Sequence, residues 1–186
     1  RDTDIQPDNI FESGKSESII EYLAHGSEFI RLATGYFSIE GYEIIASNLE
    51  GAQIRIIVGQ DDHLGRNTLA NPAENFQKSV ENGPTNSKKR TALQNLHREL
   101  LFGTTRVAGA FSRQHEAFHS KVYIFDRSAV LQGSMNSTRS GFRRNIENGD
   151  VKTSIEDVDY FIKRFDDYFT EATAIEASFI EVRRFN

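Results

Sequence analysis

The chain is expected to fold as α/β, with a mixed sheet flanked by helices. Three observations carry that expectation. Short β-branched and aromatic runs recur along the chain, and segments of helical period separate them. Near the C-terminal end, Val158, Phe161, Ile162, Phe165 and Phe169 form one apolar stripe at helical spacing, which reads as core. A length of 186 residues suits a single domain with a substantial interior.

Taken in order, residues 17–24 place Ile19, Ile20 and Leu23 on one helical face, closed by Gly26. Residues 29–37 read as a strand. A second helix is expected over 39–49, closed by Gly51, and an alternating strand over 53–58. Asn71-Pro72-Ala73-Glu74 has the form of a helix start, so a helix follows over 72–80 until Asn82-Gly83-Pro84. Lys88, Lys89 and Arg90 read as a solvated loop. Leu93, Leu96 and Leu100 make 91–101 helical. Strands follow over 106–110, 117–125, 129–132 and 149–153. The last clear helix covers 157–170, capped by Ser154. The tail, 172–186, is compatible with a further helix or strand, or with the approach to another domain.

Apolar residues make up 38% and charged residues 26%, ordinary for a globular chain, and no apolar stretch approaches the length of a membrane span. No secretory signal is visible, which points to the cytoplasm. The absence of cysteine excludes disulfides and thiol chemistry. Arg at position 1 and the abrupt end fit a domain excised from a longer parent. Charge is unevenly distributed. Residues 87–145 hold eleven Lys or Arg against three acids, a net +8 that leaves −13 for the remainder of a chain at −5. Such a segment suits a polyanionic substrate. Arg139, Arg143 and Arg144 are the candidate phosphate-backbone contacts.

The most specific feature lies inside that segment. His119, Lys121, Asp126, Gly133, Ser134 and Asn136 fit H-x-K-x4-D-x6-G-S-x-N without a gap. A chance match in a chain of this length has a probability on the order of 10^-5. Strand alternation puts His119 and Lys121 on one face and Asp126 on the other, so Asp126 is expected to hold a turn or an ion pair. Gly133 would let backbone N–H groups approach an anion, with Ser134 and Asn136 as neutral donors. Lys121 adds a fixed positive charge. Donors and cations around a phosphodiester stabilise the charge that develops on attack at phosphorus. A neutral imidazole can be the nucleophile.

The run resembles the HKD motif of the phospholipase D superfamily. The resemblance implies a phospholipase D-like α-β-α sandwich with a mixed central sheet. It also implies phosphodiester chemistry through a phosphohistidine, with neither metal nor cofactor. Of the five histidines (His25, His63, His97, His115 and His119), only His119 is followed by x-Lys. The single motif implies a homodimer in which each subunit lends one His and one Lys. Asn145-Ile146-Glu147-Asn148 is similar to a stretch of single-motif nucleases whose carboxylate hydrogen-bonds the catalytic histidine. Glu147 is therefore the candidate to fix its tautomer.

Gly35-Tyr36-Phe37-Ser38 is similar to the start of restriction- and helicase-linked members. The expected activity is cleavage of nucleic acid, DNA foremost, without a membrane partner. Phospholipid chemistry and a non-catalytic DNA-binding dimer are the alternatives within the superfamily. His115-Glu116-Ala117-Phe118-His119 also matches H-E-x-x-H of zinc proteases, a pattern expected in about one chain of this size in a hundred. That reading needs a helix here, whereas the residues after His119 favour a strand, and it leaves the Gly-Ser-x-Asn run unexplained.

Overall fold

The computed structural model describes residues 10–47, 51–59, 87–109 and 120–175. Eight strands form one mixed sheet. They are β1 (Ile10–Phe11), β2 (Phe29–Thr34), β3 (Gln53–Val58), β4 (Thr105–Gly109), β5 (Val122–Phe125), β6 (Ala129–Gly133), β7 (Glu147–Lys152) and β8 (Thr173–Ile175). Their spatial order is β1-β7-β6-β5-β2-β3-β4-β8. The central trio β2, β3 and β4 is parallel, and every other pairing is antiparallel.

Alternation along the strands sorts residues to two faces. Ile30, Leu32, Ile54, Ile56, Val107, Tyr123 and Phe125 point into the larger core cluster. That cluster also takes in residues of α1 (Lys15–Ala24), α2 (Ile39–Ala46), α3 (Ser87–Phe102) and α4 (Arg139–Arg143). Ala33, Ile57, Val122, Ile124 and Val130 point the other way, to Val158 and Phe165 of α5 (Ile155–Glu171). The result is an α-β-α arrangement, as the sequence predicts.

Several expected boundaries move. The first helix starts at Lys15, and β2 ends at Thr34 rather than Phe37. Lys88, Lys89 and Arg90 belong to the first turn of α3 instead of a loop, because helical period extends back to Ser87. Ser120 and Lys121 precede β5. β7 begins at Glu147, two residues earlier than expected, and the tail supplies strand β8. The short β1 and α4 were not legible as periodic segments, being only 2 and 5 residues long. Ser154 caps α5 as expected, its Oγ accepting the Asp157 N–H at 3.2 Å. The helix expected over 72–80 lies outside the described residues.

Tyr123 ties the sheet to the loop after β6. It is fully buried and donates to the Met135 carbonyl at 2.9 Å. Burial, with Glu147 nearby, holds its phenol well above the usual range. The neutral form is therefore favoured in the folded state. Its contribution is complete below the unfolded value near 10 and is lost as pH climbs through the folded one. Tyr123→Phe is expected to cost about 1 kcal/mol at neutral pH. The variant should also lose less stability than the wild type between about pH 7 and about pH 11, measured as urea midpoints.

Candidate active site

Lys121, Gly133, Ser134 and Asn136 lie at one edge of the sheet. Thr34 ends β2, Lys121 precedes β5 and Gly133 ends β6. Pairing of Ala33 with Val122, Val122 with Gln132 and Gly133 with Gly149 brings these positions to the same edge. The backbone closes the row, the Gly133 N–H donating to the Lys121 carbonyl at 3.1 Å. His119 lies outside the described residues, as do His63, His115 and Glu116. What is described is the frame beginning one residue after His119.

Within that frame Lys121 and Asn136 converge over Gly35. A Cβ placed on Gly35 would sit 3.2 Å from Asn136 Oδ1 and 3.6 Å from Lys121 Nζ. The Tyr36 N–H donates to Asn136 Oδ1 at 3.0 Å. Because a backbone N–H needs an acceptor, this contact fixes which end of the amide is oxygen. The Asn136 Nδ2 is left as a donor on the other side.

Glu147 forms a second group. It is buried, at 8% exposure. Its Oε2 accepts a very short hydrogen bond from Ser134 Oγ, and its Oε1 accepts from Asn145 Nδ2 at 3.0 Å. Ser134 Oγ accepts in turn from the Asn148 N–H at 2.9 Å. Ser134 therefore spends its proton on the carboxylate and orients it, rather than standing as a donor for an anion.

The expected role of the motif glycine changes, whereas the motif acid keeps a local one. The N–H groups of Gly133 and Ser134 are taken by the Lys121 and Asn148 carbonyls, so they do not form an anion nest. Gly133 is required by close approach instead. A Cβ there would lie 2.1 Å from the Asn148 carbonyl oxygen. Asp126 occupies the β5–β6 turn with φ 50°, a left-handed conformation that Asp tolerates. Its Oδ1 accepts from the backbone N–H groups of Glu28 and Phe29 at 3.0 and 2.8 Å. It thus anchors the start of β2, at the far end of β5 from Lys121, consistent with a local role.

The three arginines after the motif separate. All are exposed. Arg143 is engaged bidentately with Glu17 of α1, at 2.7 and 2.6 Å, which holds α4 on α1. Arg139 opens α4, and Arg144 is its C-cap residue. Arg127, counted in the basic segment, lies in the β5–β6 turn paired with Asp159. Arg127 and Arg143 are therefore already matched by acids from elsewhere in the fold.

Thr34 was not singled out from the sequence. Its hydroxyl is fully buried, accepts the Ser137 N–H at 2.9 Å and donates to the Tyr36 carbonyl at 2.6 Å. The Ser38 N–H donates to the Ser137 carbonyl at 2.9 Å. These bonds clamp residues 34–38 to the stretch bearing Asn136. A signal was present. Ser38-x-x-Gly41-Tyr42 and Thr138-x-x-Gly141-Phe142 repeat one pattern, an N-cap followed by glycine and an aromatic. Added Cβ atoms on Gly41 and Gly141 would lie 2.2 Å from the Ser137 carbonyl oxygen and 2.4 Å from that of Asn136. Thr34→Val should cost about 1–3 kcal/mol by leaving a buried N–H without an acceptor. It should also lower turnover about tenfold through a loosened Asn136, with Thr34→Ser close to wild type. Thermal melts and initial rates check both.

Among the described residues no group of three His, Cys, Asp or Glu is placed to hold a metal ion. No helix among them is long and apolar enough to cross a membrane.

The mixed sheet, the Lys–Asn pair at its edge and the clamped carboxylate define a phospholipase D-like α/β domain. The chain belongs to the phospholipase D superfamily: residues 19–169 match the family described as cardiolipin synthase, PLD-like domain. Solved structures agree on the fold. Nuc from Salmonella typhimurium, a phospholipase D family member, is 15% identical with a TM-score of 0.56, over 88% of this chain and 92% of that one. NucT from Helicobacter pylori is 14% identical with a TM-score of 0.56, over 89% and 96%. Phosphatidylserine synthase of Haemophilus influenzae Rd KW20 is 18% identical with a TM-score of 0.60, over 92% of this chain but 40% of that one. No curated protein matches by sequence.

Proposed function

We propose that this domain is a phosphodiesterase that cleaves nucleic acid, DNA foremost, through a phosphohistidine, with its active site shared across a homodimer. The observation that carries the reading is the convergence of Lys121 and Asn136 over Gly35, on the segment that follows His119. A cation beside an amide whose oxygen is held by the Tyr36 N–H, and whose Nδ2 remains a donor, suits the non-bridging oxygens of a phosphodiester. In this reading a neutral His119 nitrogen attacks phosphorus, and the bond to the leaving oxygen breaks. A second imidazole protonates that oxygen. Water then attacks the phosphohistidine, giving its proton to the second imidazole and releasing His119. The chain has one H-x-K, so the second imidazole comes from a partner subunit. Glu147, clamped by Ser134 and Asn145, is the candidate to hold the His119 ring.

A lipid phosphodiester is the second reading. It is favoured by the description of the matching family and by the phosphatidylserine synthase likeness. Against it, no Lys-rich amphipathic segment suited to a membrane surface is apparent in the sequence. The test offers single-stranded DNA and phosphatidylcholine vesicles in EDTA to wild type and to His119→Ala. The proposal expects DNA cleavage that survives EDTA, disappears in the variant and tracks the dimer in sedimentation. Cleavage of lipid alone, or an active monomer, would overturn it.

A further inference from the structure

Away from the motif, on the α5 face of the sheet, three arginines stand in register. Arg31 of β2 pairs with Arg55 of β3, and Arg55 pairs with Arg106 of β4. In parallel strands register partners point to the same face, about 4.8 Å apart. Like charges side by side are unfavourable unless something offsets them. One carboxylate does so in part. Asp166 of α5 accepts from Arg31 at 3.0 and 3.2 Å and from Arg55 Nη1 at 3.4 Å. Arg106 is exposed and has no partner among the described residues. Aromatic rings support the same row. The Arg31 and Arg55 guanidinium carbons lie 4.4 and 5.0 Å from the Phe29 ring centroid, and that of Arg55 lies 5.6 Å from Phe169. Among the described residues, three guanidiniums against one carboxylate leave an excess of positive charge, graded from the largely covered Arg31 to the open Arg106.

We propose that the Arg31–Arg55–Arg106 row is a contact track for the phosphate backbone of a nucleic-acid strand whose scissile phosphate lies at Lys121. This rests on the nucleic-acid reading above and adds residues that the motif does not contain. Arg31 lies three residues before Thr34, so the row begins roughly 10 Å from the candidate site along the strand direction. That is out of reach of a single diester, and because Lys121 alternates away from the α5 face, a strand touching both must round the end of the sheet over more than one nucleotide. Fixed guanidiniums held against rings bind phosphates with little further loss of side-chain freedom.

The experiment compares wild type, Arg106→Gln and Arg55→Gln/Arg106→Gln. Binding and cleavage of a single-stranded DNA of about thirty nucleotides are measured across salt concentrations, beside hydrolysis of bis(p-nitrophenyl) phosphate. The double variant should raise KM for the oligonucleotide about tenfold. It should also flatten the plot of log Kd against log salt by about 0.7 to 1 per arginine removed. Hydrolysis of the short diester should stay at the wild-type rate. Asp166→Asn removes the offsetting charge and should tighten DNA binding about threefold, whereas a purely structural ion pair would loosen binding or leave it unchanged. An unaltered KM and salt slope in the double variant, or an equal loss on the short diester, would overturn the track. Failure of wild type to hydrolyse either diester would sink the catalytic reading instead, and the binding slopes would still decide the row.

Discussion

His119→Ala is expected to lower phosphodiester turnover by at least about 10^4-fold, because it removes the atom that attacks phosphorus. Lys121→Ala and Asn136→Ala should each cost about 10^2- to 10^3-fold, the range expected when one preorganised donor is taken from a developing negative charge. The two losses should not simply multiply. Lys121 Nζ and Asn136 Oδ1 both lie within 4 Å of the position a Gly35 Cβ would take, so the two side chains are neighbours and can couple. Initial rates on bis(p-nitrophenyl) phosphate measure the three effects without contribution from an extended substrate. Mass spectrometry of wild type quenched on a slow diester should show His119 carrying the phosphoryl group with its remaining ester substituent, and no such adduct in the variant. Turnover in His119→Ala above roughly one hundredth of wild type would exclude the nucleophilic role.

The largest effect on stability is expected at Gly133. An alanine there would place Cβ 2.1 Å from the Asn148 carbonyl oxygen, 2.5 Å from Met135 Cε and 2.9 Å from the Gly149 Cα. The methionine end can move, but the other two atoms belong to the backbone of β7. Relief requires β6 and β7 to separate where Gly133 pairs with Gly149. Gly133→Ala should therefore cost about 3 kcal/mol or more in urea unfolding. The same displacement would pull Ser134 from Glu147, so the variant's activity should fall even under conditions where it remains folded. A variant that unfolds within about 0.5 kcal/mol of wild type would show that β7 yields without cost, contrary to this account.

Much of this fold was legible beforehand because its central elements obey one period each. Alternation predicts β3 at its observed limits, and the apolar stripe with the Ser154 cap predicts α5. Elements of 2 or 5 residues, such as β1 and α4, carry too few positions to show a period. Only pairing with β7 and packing on α1 reveal them. Arg143 illustrates the limit for charge. Next to a phosphate motif it reads as a phosphate contact, yet a carboxylate distant in sequence, Glu17, holds its guanidinium. Arg127 repeats the lesson with Asp159. Summed charge along a segment says nothing about which charges are already matched across the fold.

The motif spacing alone determined the superfamily, because His119, Lys121, Gly133, Ser134 and Asn136 sit at fixed distances along the chain. The α/β class was likewise determined by period and order. The tertiary structure decided how those residues are used. It turned Ser134 toward Glu147, assigned the Gly133 N–H to the sheet, and recruited Thr34 to clamp the loop bearing Asn136. It also aligned Arg31, Arg55 and Arg106, residues otherwise scattered through the chain. The physical reason is that hydrogen-bond partners and strand register join positions far apart in sequence, and no local pattern encodes which distant group will satisfy a given donor or charge.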